Sequence, residues 1–232
     1  MKVAIMQPYF FPYIGYFQLI AAVDLFVVYD NIQYTKKGWI NRNRILLNDH
    51  DITFSLPLKK DSDSLNVNER ILATSFKAEK LLAQISGAYR KAPYFTQTML
   101  LLEPILFHKA INLFDFLHNS LIKTAAHLEI STPIKISSEI PINHALKSQD
   151  KVLAICKAVG ADSYINTIGG KELYSKPIFL QEEIILQFMQ TLPFNYEQFG
   201  QHFVPWLSII DVLMFNPVPA VKSAIVHNYR LI

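Results

Sequence analysis

Cysteine is nearly absent. Cys156 stands alone among 232 residues, so no internal disulfide can form and no multi-thiolate zinc site can be built. Such a chain suits a reducing compartment, and the cytoplasm is the expected location. Long hydrophobic runs are also missing: no uninterrupted apolar window approaches the ~18 residues of a membrane-spanning helix. Residues 1–5 run straight into Gln7-Pro8, which leaves no apolar core for a signal peptide. Neither membrane insertion nor export is expected. Charge of one sign is not in excess, with 22 Lys plus Arg against 19 Asp plus Glu. A nucleic-acid partner is therefore not expected, since such proteins concentrate cations into a broad patch. The seven histidines form no HxH or HExxH pair, so no metal site is expected. GxGxxG, the GxxxxGK phosphate loop and the GxSxG elbow do not occur, and no resident cofactor is expected.

What is present is core material. Apolar residues make up 51% and charged residues 18%, a balance that excludes disorder as the main state. Residues 2–6 form a short apolar run stopped by Gln7-Pro8, residues 17–22 fit a helix, and residues 25–29 form a second apolar run. A strand, a helix and a strand in this order require a parallel pair with a right-handed crossover. Two β-prone stretches flank the polar turn at 48–51, which predicts a hairpin. Residues 77–127 carry three consecutive 3.6-residue patterns broken by prolines, read as a helical insertion. Alternation then resumes, with strands at 134–139, 163–166 and 184–188, a helix at 149–159 stopped by Gly160, a short helix at 172–175 and a closing helix at 206–214. The expected fold class is α/β: one domain over 1–232, a parallel, Rossmann-like sheet with an inserted helical bundle.

In such sheets ligands sit beyond the carboxyl ends of the strands. The most loaded segment there is 30–44. It holds Asp30, Gln33, Tyr34, Lys36, Lys37, Trp39, Asn41, Arg42, Asn43 and Arg44. Four cations can grip a phosphate or carboxylate while Trp39 or Tyr34 stacks on a ring, whereas the plainer reading is a solvated hairpin with an anchoring tryptophan. Gln7 can fix a polar group of a substrate or brace its own proline-stiffened loop. Asp30 can act as a general base or simply form a turn. Cys156 lies on an apolar helix and reads as core. Gly169-Gly170 reads as a turn.

The order Ala4-Ile5-Met6-Gln7-Pro8-Tyr9-Phe10-Phe11-Pro12-Tyr13-Ile14-Gly15-Tyr16-Phe17, then Asp24-Leu25-Phe26-Val27, then Asp30 through Ile45, resembles the WbqC-like family of bacterial polysaccharide loci. Tyr89-Arg90-Lys91-Ala92-Pro93-Tyr94-Phe95, Val159-Gly160-Ala161-Asp162-Ser163-Tyr164 and Phe203-Val204-Pro205-Trp206-Leu207-Ser208-Ile209-Ile210-Asp211 extend the resemblance over nearly the whole chain. Met6 stands where members commonly carry histidine, and Asn216-Pro217 where Asn-x-Gly is usual. The resemblance implies work in O-antigen or lipopolysaccharide synthesis: a transferase moving an amino acid such as glycine, or another acyl group, onto the amine of a nucleotide-linked amino sugar. On that implication Lys36, Lys37, Arg42 and Arg44 hold the pyrophosphate, Trp39 and Tyr34 face the base or sugar, and Asp30 accepts the amine's proton. The expected partner is a nucleotide-sugar or similar anionic small molecule, and self-association as a homodimer stays open. The opening unit also looks like that of nucleotidylyltransferases, although Tyr16 follows Gly15 where those enzymes place histidines. A non-catalytic nucleotide-sugar-binding protein is the third reading.

Overall fold

The structure, a computed structural model, describes residues 1–200 and 202–232. Its centre is a sheet of six strands: β1 (Lys2–Met6), β2 (Leu25–Val28), β5 (Ile134–Ile136), β6 (Ser163–Thr167), β7 (Ile185–Thr191) and β8 (Tyr229–Leu231). Their spatial order is β5-β2-β1-β6-β7-β8, all parallel except the β7–β8 pair. The expected parallel pairing of the first two strands is present, with Val3 opposite Leu25 and Met6 opposite Val28. Sequence order reverses between β1 and β6, so the fold has one switch point, and its crevice opens at the carboxyl ends of those two strands.

The strands are short β-branched and aliphatic runs buried on both faces, as a helix-covered parallel sheet requires. Val3, Ile5, Leu25, Val27 and Tyr164 point to one side, against α5 (Ser148–Val159) and α6 (Lys176–Gln181). Ala4, Phe26, Val28 and Ile165 point to the other, against α1 (Ile14–Ala21) and α8 (Val218–His227). Gln18 crosses between these two helices, donating to the carbonyls of Ala224 and Asn228 at 3.0 Å each and so satisfying the end of α8. The second sheet is the hairpin β3 (Arg42–Leu47) and β4 (His50–Ser55), turned by Asn48 and Asp49, whose φ angles are 49° and 65°. Residues 77–127 contain α2 (Ala78–Tyr89), α3 (Phe95–Leu106) and α4 (Leu113–His127). Leu81, Ile85, Leu102 and Leu117 of these helices join the same hydrophobic cluster as Phe17 and Phe26. No helix among the described residues is long and apolar enough to cross a membrane.

The boundaries differ from expectation where backbone chemistry intervened. Helix α1 begins three residues earlier than expected, and its first turn holds Gly15, where a Cβ would lie 2.4 Å from Thr191 Oγ1. Residues 137–139 turn into a 3-10 helix instead of continuing β5. The short helix expected at 172–175 is displaced, with a 3-10 helix over Ile168–Leu173 and α6 after it. The closing helix α7 (Ile209–Phe215) starts late, since Trp206 adopts φ 59° and Ser208 takes the cap, accepting from Ile210 N at 3.2 Å. Helix α8 and strand β8 were not expected at all. Pro217 and Pro219 look like breakers, yet they stand at the start of α8, where a missing N–H costs nothing.

Candidate functional site

The loop after β1 is built around two buried phenylalanines. Phe10 packs on Phe54 and Phe116 at centroid distances of 5.4 and 6.0 Å, and Phe11 lies beside it at φ 42°. A left-handed phenylalanine is strained and persists only where its surroundings hold it. Asn43 does this: its Nδ2 donates to the Phe10 and Phe11 carbonyls at 3.0 and 2.8 Å. Ser208 Oγ adds a third bond, to the Phe11 carbonyl at 2.7 Å. With both phenylalanines fixed inward, Tyr9 and Tyr13 face outward.

Strand β3 supplies the next wall. Arg42 and Arg44 share one face by period-two alternation, and both guanidiniums stack on Trp39, at 5.6 and 5.5 Å from the ring centroid. Arg42 is tied to the carbonyls of Gly38 and Lys37 at 3.0 and 2.6 Å. Arg44 pairs with Asp51 at 3.1 Å and donates to the Trp206 carbonyl at 3.3 Å, while its buried Nε has no partner among the described residues. Tyr9, Pro12, Tyr13, Trp39, Asn43, Arg44, Ile168, Met189, Thr191 and Trp206 together enclose a cleft of about 310 Å³. Its floor is the carboxyl ends of β6 and β7, beside the switch point. Burial pushes the Tyr9 and Tyr13 phenols above their ordinary range; Tyr13 raises Tyr9 further and Thr191 partly offsets the rise at Tyr13. Both therefore present neutral O–H groups. The described lining contains one cation and no carboxylate or imidazole. Such a cleft can hold an anion and a ring, and it can donate hydrogen bonds to a carbonyl.

The residues singled out in the sequence divide. Trp39, Asn43 and Arg44 line the cleft, and Arg42 braces Trp39. Gln33 and Lys36 turn to the 59–66 loop: Gln33 donates to the Asp63 carbonyl at 3.0 Å and Lys36 pairs with the Asp63 carboxylate at 2.6 Å, both partners about two-thirds exposed. Lys37 is exposed and offers the site only its backbone carbonyl, to Arg42. Tyr34 donates to Asn41 at 2.8 Å, Asn41 donates to the Leu56 carbonyl, and Arg70 covers the Tyr34 ring at 4.8 Å, so this pair stiffens the segment from beneath. Gln7 follows the last residue of β1 and is not among the residues lining the cleft; its carbonyl accepts from Tyr16 Oη at 2.8 Å.

Asp30 occupies a separate place at the ends of β2 and β5. Its carboxylate is 2% exposed and accepts from Asn68 Nδ2 (2.8 Å), Ser137 Oγ (2.7 Å), Ser138 N (2.9 Å) and Ser138 Oγ (2.6 Å). Four donors occupy the lone pairs a base would use. Its geometry is that of a clasp between three chain segments. Cys156 is buried, and its thiol is pushed up to about 12 by that burial, which fits the core reading.

Seven lining residues carry no local site signal in the sequence: Tyr9, Pro12, Tyr13, Ile168, Met189, Thr191 and Trp206, of which the last four come from segments whose meeting depends on strand order. The signal within reach was the pair of tryptophans, the chain's only two, both of which line the cleft.

Comparison with known proteins follows this geometry along the chain. An uncharacterised protein of Mycobacterium tuberculosis (strain ATCC 25618 / H37Rv) is 28% identical over 218 residues, 93% of each chain. No solved structure matches the chain. The family model described as the WbqC-like protein family matches residues 7–223, from the aromatic loop through the Trp206 wall and into α8, and the chain belongs to that family.

Proposed function

We propose that the cleft binds a nucleotide-linked amino sugar and presents its amine to a small acyl or aminoacyl donor, in the making of a surface polysaccharide. The observation that carries this reading is Trp39, stacked with two guanidiniums at the rim of a cleft at the switch point of the sheet. Arg44 takes the phosphates and the tryptophan pair takes the rings. In the reaction the amine nitrogen attacks the acyl carbonyl, the new C–N bond forms as the donor's leaving group departs, and the amine's proton passes to solvent. Tyr9 and Tyr13, kept neutral by burial, are placed to donate to the developing oxyanion. Positioning rather than general-base chemistry supplies the rate. Asp30 has no part in this reading.

Titration calorimetry with UDP, dTDP, GDP and CDP, and with their amino-sugar conjugates, tests it. At least one should bind, and Arg44→Ala should weaken it by about 1.5–3 kcal/mol, the worth of a charge-assisted contact. Lys36→Ala should leave it unchanged. Failure of every nucleotide to bind removes the reading. A second reading, a nucleotide-sugar-binding protein without turnover, is favoured by the lack of a carboxylate or imidazole in the described lining. Tight binding of an amino-sugar nucleotide with no acylation by thioester or acyl-phosphate donors selects it.

A further inference from the structure

Trp206 holds an awkward position. It lies on the connection between β7 and α7, its side chain is 50% exposed, and its φ is 59°. A bulky residue in left-handed backbone and half in water stays in place only when its neighbours over-determine it. Tyr13 meets its ring edge-on at 6.1 Å, which braces one side.

The deeper brace is polar. Asp211, fully buried in the first turn of α7, accepts from Tyr89 Oη and Tyr196 Oη at 2.6 Å each and from Gln198 Nε2 at 2.8 Å. Gln198, itself 8% exposed, then uses both ends of its amide on one residue. Its Nε2 donates to the Val204 carbonyl at 3.1 Å, and its Oε1 accepts from Val204 N at 2.8 Å. Two bonds to the backbone N–H and C=O of one residue fix direction as well as distance, as a β-bridge does. Val204 is two residues before Trp206. On the far side, the Trp206 carbonyl accepts from Arg44, and Ser208 N donates to the Arg44 carbonyl at 3.0 Å.

Taking the cleft as the ligand site, as proposed above, we infer that Gln198 is a positioning residue for it: seated on Asp211, it holds Val204 and thereby fixes Trp206 as the wall facing Trp39. A purely local role, satisfying Asp211, needs only one end of the amide. The bidentate grip on Val204 lies outside that need, and it is aimed at the segment carrying the exposed indole. The ligand class implied is one with a planar or flat-faced ring, because the residue being fixed contributes a ring face and an edge rather than a charge.

The chain's two tryptophans make the test direct. In a Trp39→Phe background Trp206 is the sole indole reporter. Gln198→Met keeps side-chain length and removes both amide ends. It should raise acrylamide quenching of Trp206 about twofold and add nanosecond indole motion to the anisotropy decay, with far-UV circular dichroism unchanged. With Trp39 restored, Gln198→Met should weaken the nucleotide that binds best among UDP, dTDP, GDP and CDP about tenfold, the scale set by a misplaced contact. If Gln198→Met does not fold, Val204→Pro removes the N–H that Oε1 accepts while leaving Gln198 on Asp211, and the same loosening is expected. A folded variant with Trp206 quenching and anisotropy unchanged overturns the inference, as does a loosened Trp206 with unaltered nucleotide affinity. Absence of nucleotide binding in the unsubstituted chain counts against the proposed function alone, and the fluorescence measurements still decide the positioning role.

Discussion

Asp30 and Asp211 are the two carboxylates buried among the described residues, and neither has a salt-bridge partner there. A buried charge without a counter-charge must be held by hydrogen bonds, and removing it orphans its donors. Asp30→Ala leaves Asn68, Ser137 and Ser138 with unmet donors, and it should cost about 3 kcal/mol in urea unfolding. A loss below 1 kcal/mol would show that water replaces the clasp. Asp211 differs because burial outweighs its three donors and raises its pKa above the ordinary carboxylate value. A raised carboxyl means that the native state holds the proton more tightly than the unfolded chain. Its contribution is therefore fully present below the ordinary carboxylate range and is lost as pH rises through the elevated native value. The stability advantage of the natural chain over Asp211→Asn, measured by urea unfolding across that window, should narrow with rising pH; a widening gap contradicts the assignment. Neither environment was legible in the sequence. Asp30 ends an apolar run, as a catalytic base and a turn residue both do, and its donors come from positions 68, 137 and 138, far along the chain.

Strand β3 and the aromatic loop form one mechanical unit through Asn43. Its Oδ1 accepts from Arg44 N at 2.8 Å while its Nδ2 meets two carbonyls, so orientation of the amide is fixed by its partners. Asn43→Ala should lower stability by about 2 kcal/mol through the unmet carbonyls and the loosened Phe11. Asn43→Asp should be worse despite being nearly isosteric, because it turns an acceptor toward two carbonyl oxygens. Thermal melts of the two variants in the opposite order would show that the loop is held elsewhere. At the hairpin turn the logic runs the other way. Asp49 at φ 65° pays a left-handed penalty that glycine avoids, so Asp49→Gly should stabilise by about 0.5–1 kcal/mol. The hairpin itself was legible, since polar turn residues between β-prone runs specify it locally. The start of α7 was not, because the backbone of Trp206 is set by Gln198 and Arg44 rather than by its own neighbours.

At the scale of the whole chain, the parallel sheet could be read from strand–helix–strand alternation, because a crossover is the only short route between parallel neighbours. The order of β6, β7 and β8 could not, and with it went Ile168, Met189 and Thr191 as lining residues. The helices of residues 77–127 pose a sharper question, since a segment that reads as an insertion can fold alone or be part of the common core. Leu81, Ile85, Leu102, Leu117 and Leu121 sit in one hydrophobic cluster with Ala4, Phe17, Phe26 and Ile165. Tyr89 ties α2 to both β3 and α7, accepting from Leu46 N at 2.8 Å while donating to Asp211. Shared burial and a shared polar node couple their unfolding, so the chain should behave as one cooperative unit. Urea curves followed by Trp206 fluorescence in Trp39→Phe, by tyrosine absorbance and by far-UV circular dichroism should coincide. Tyr89→Phe keeps the ring, removes the hydroxyl and leaves Leu46 N and Asp211 short of a partner. It should lower the unfolding free energy by about 1–3 kcal/mol and move the common midpoint down without separating the probes. Two resolved transitions, with the helical signal lost apart from the Trp206 signal, would mean that residues 77–127 fold as an independent bundle.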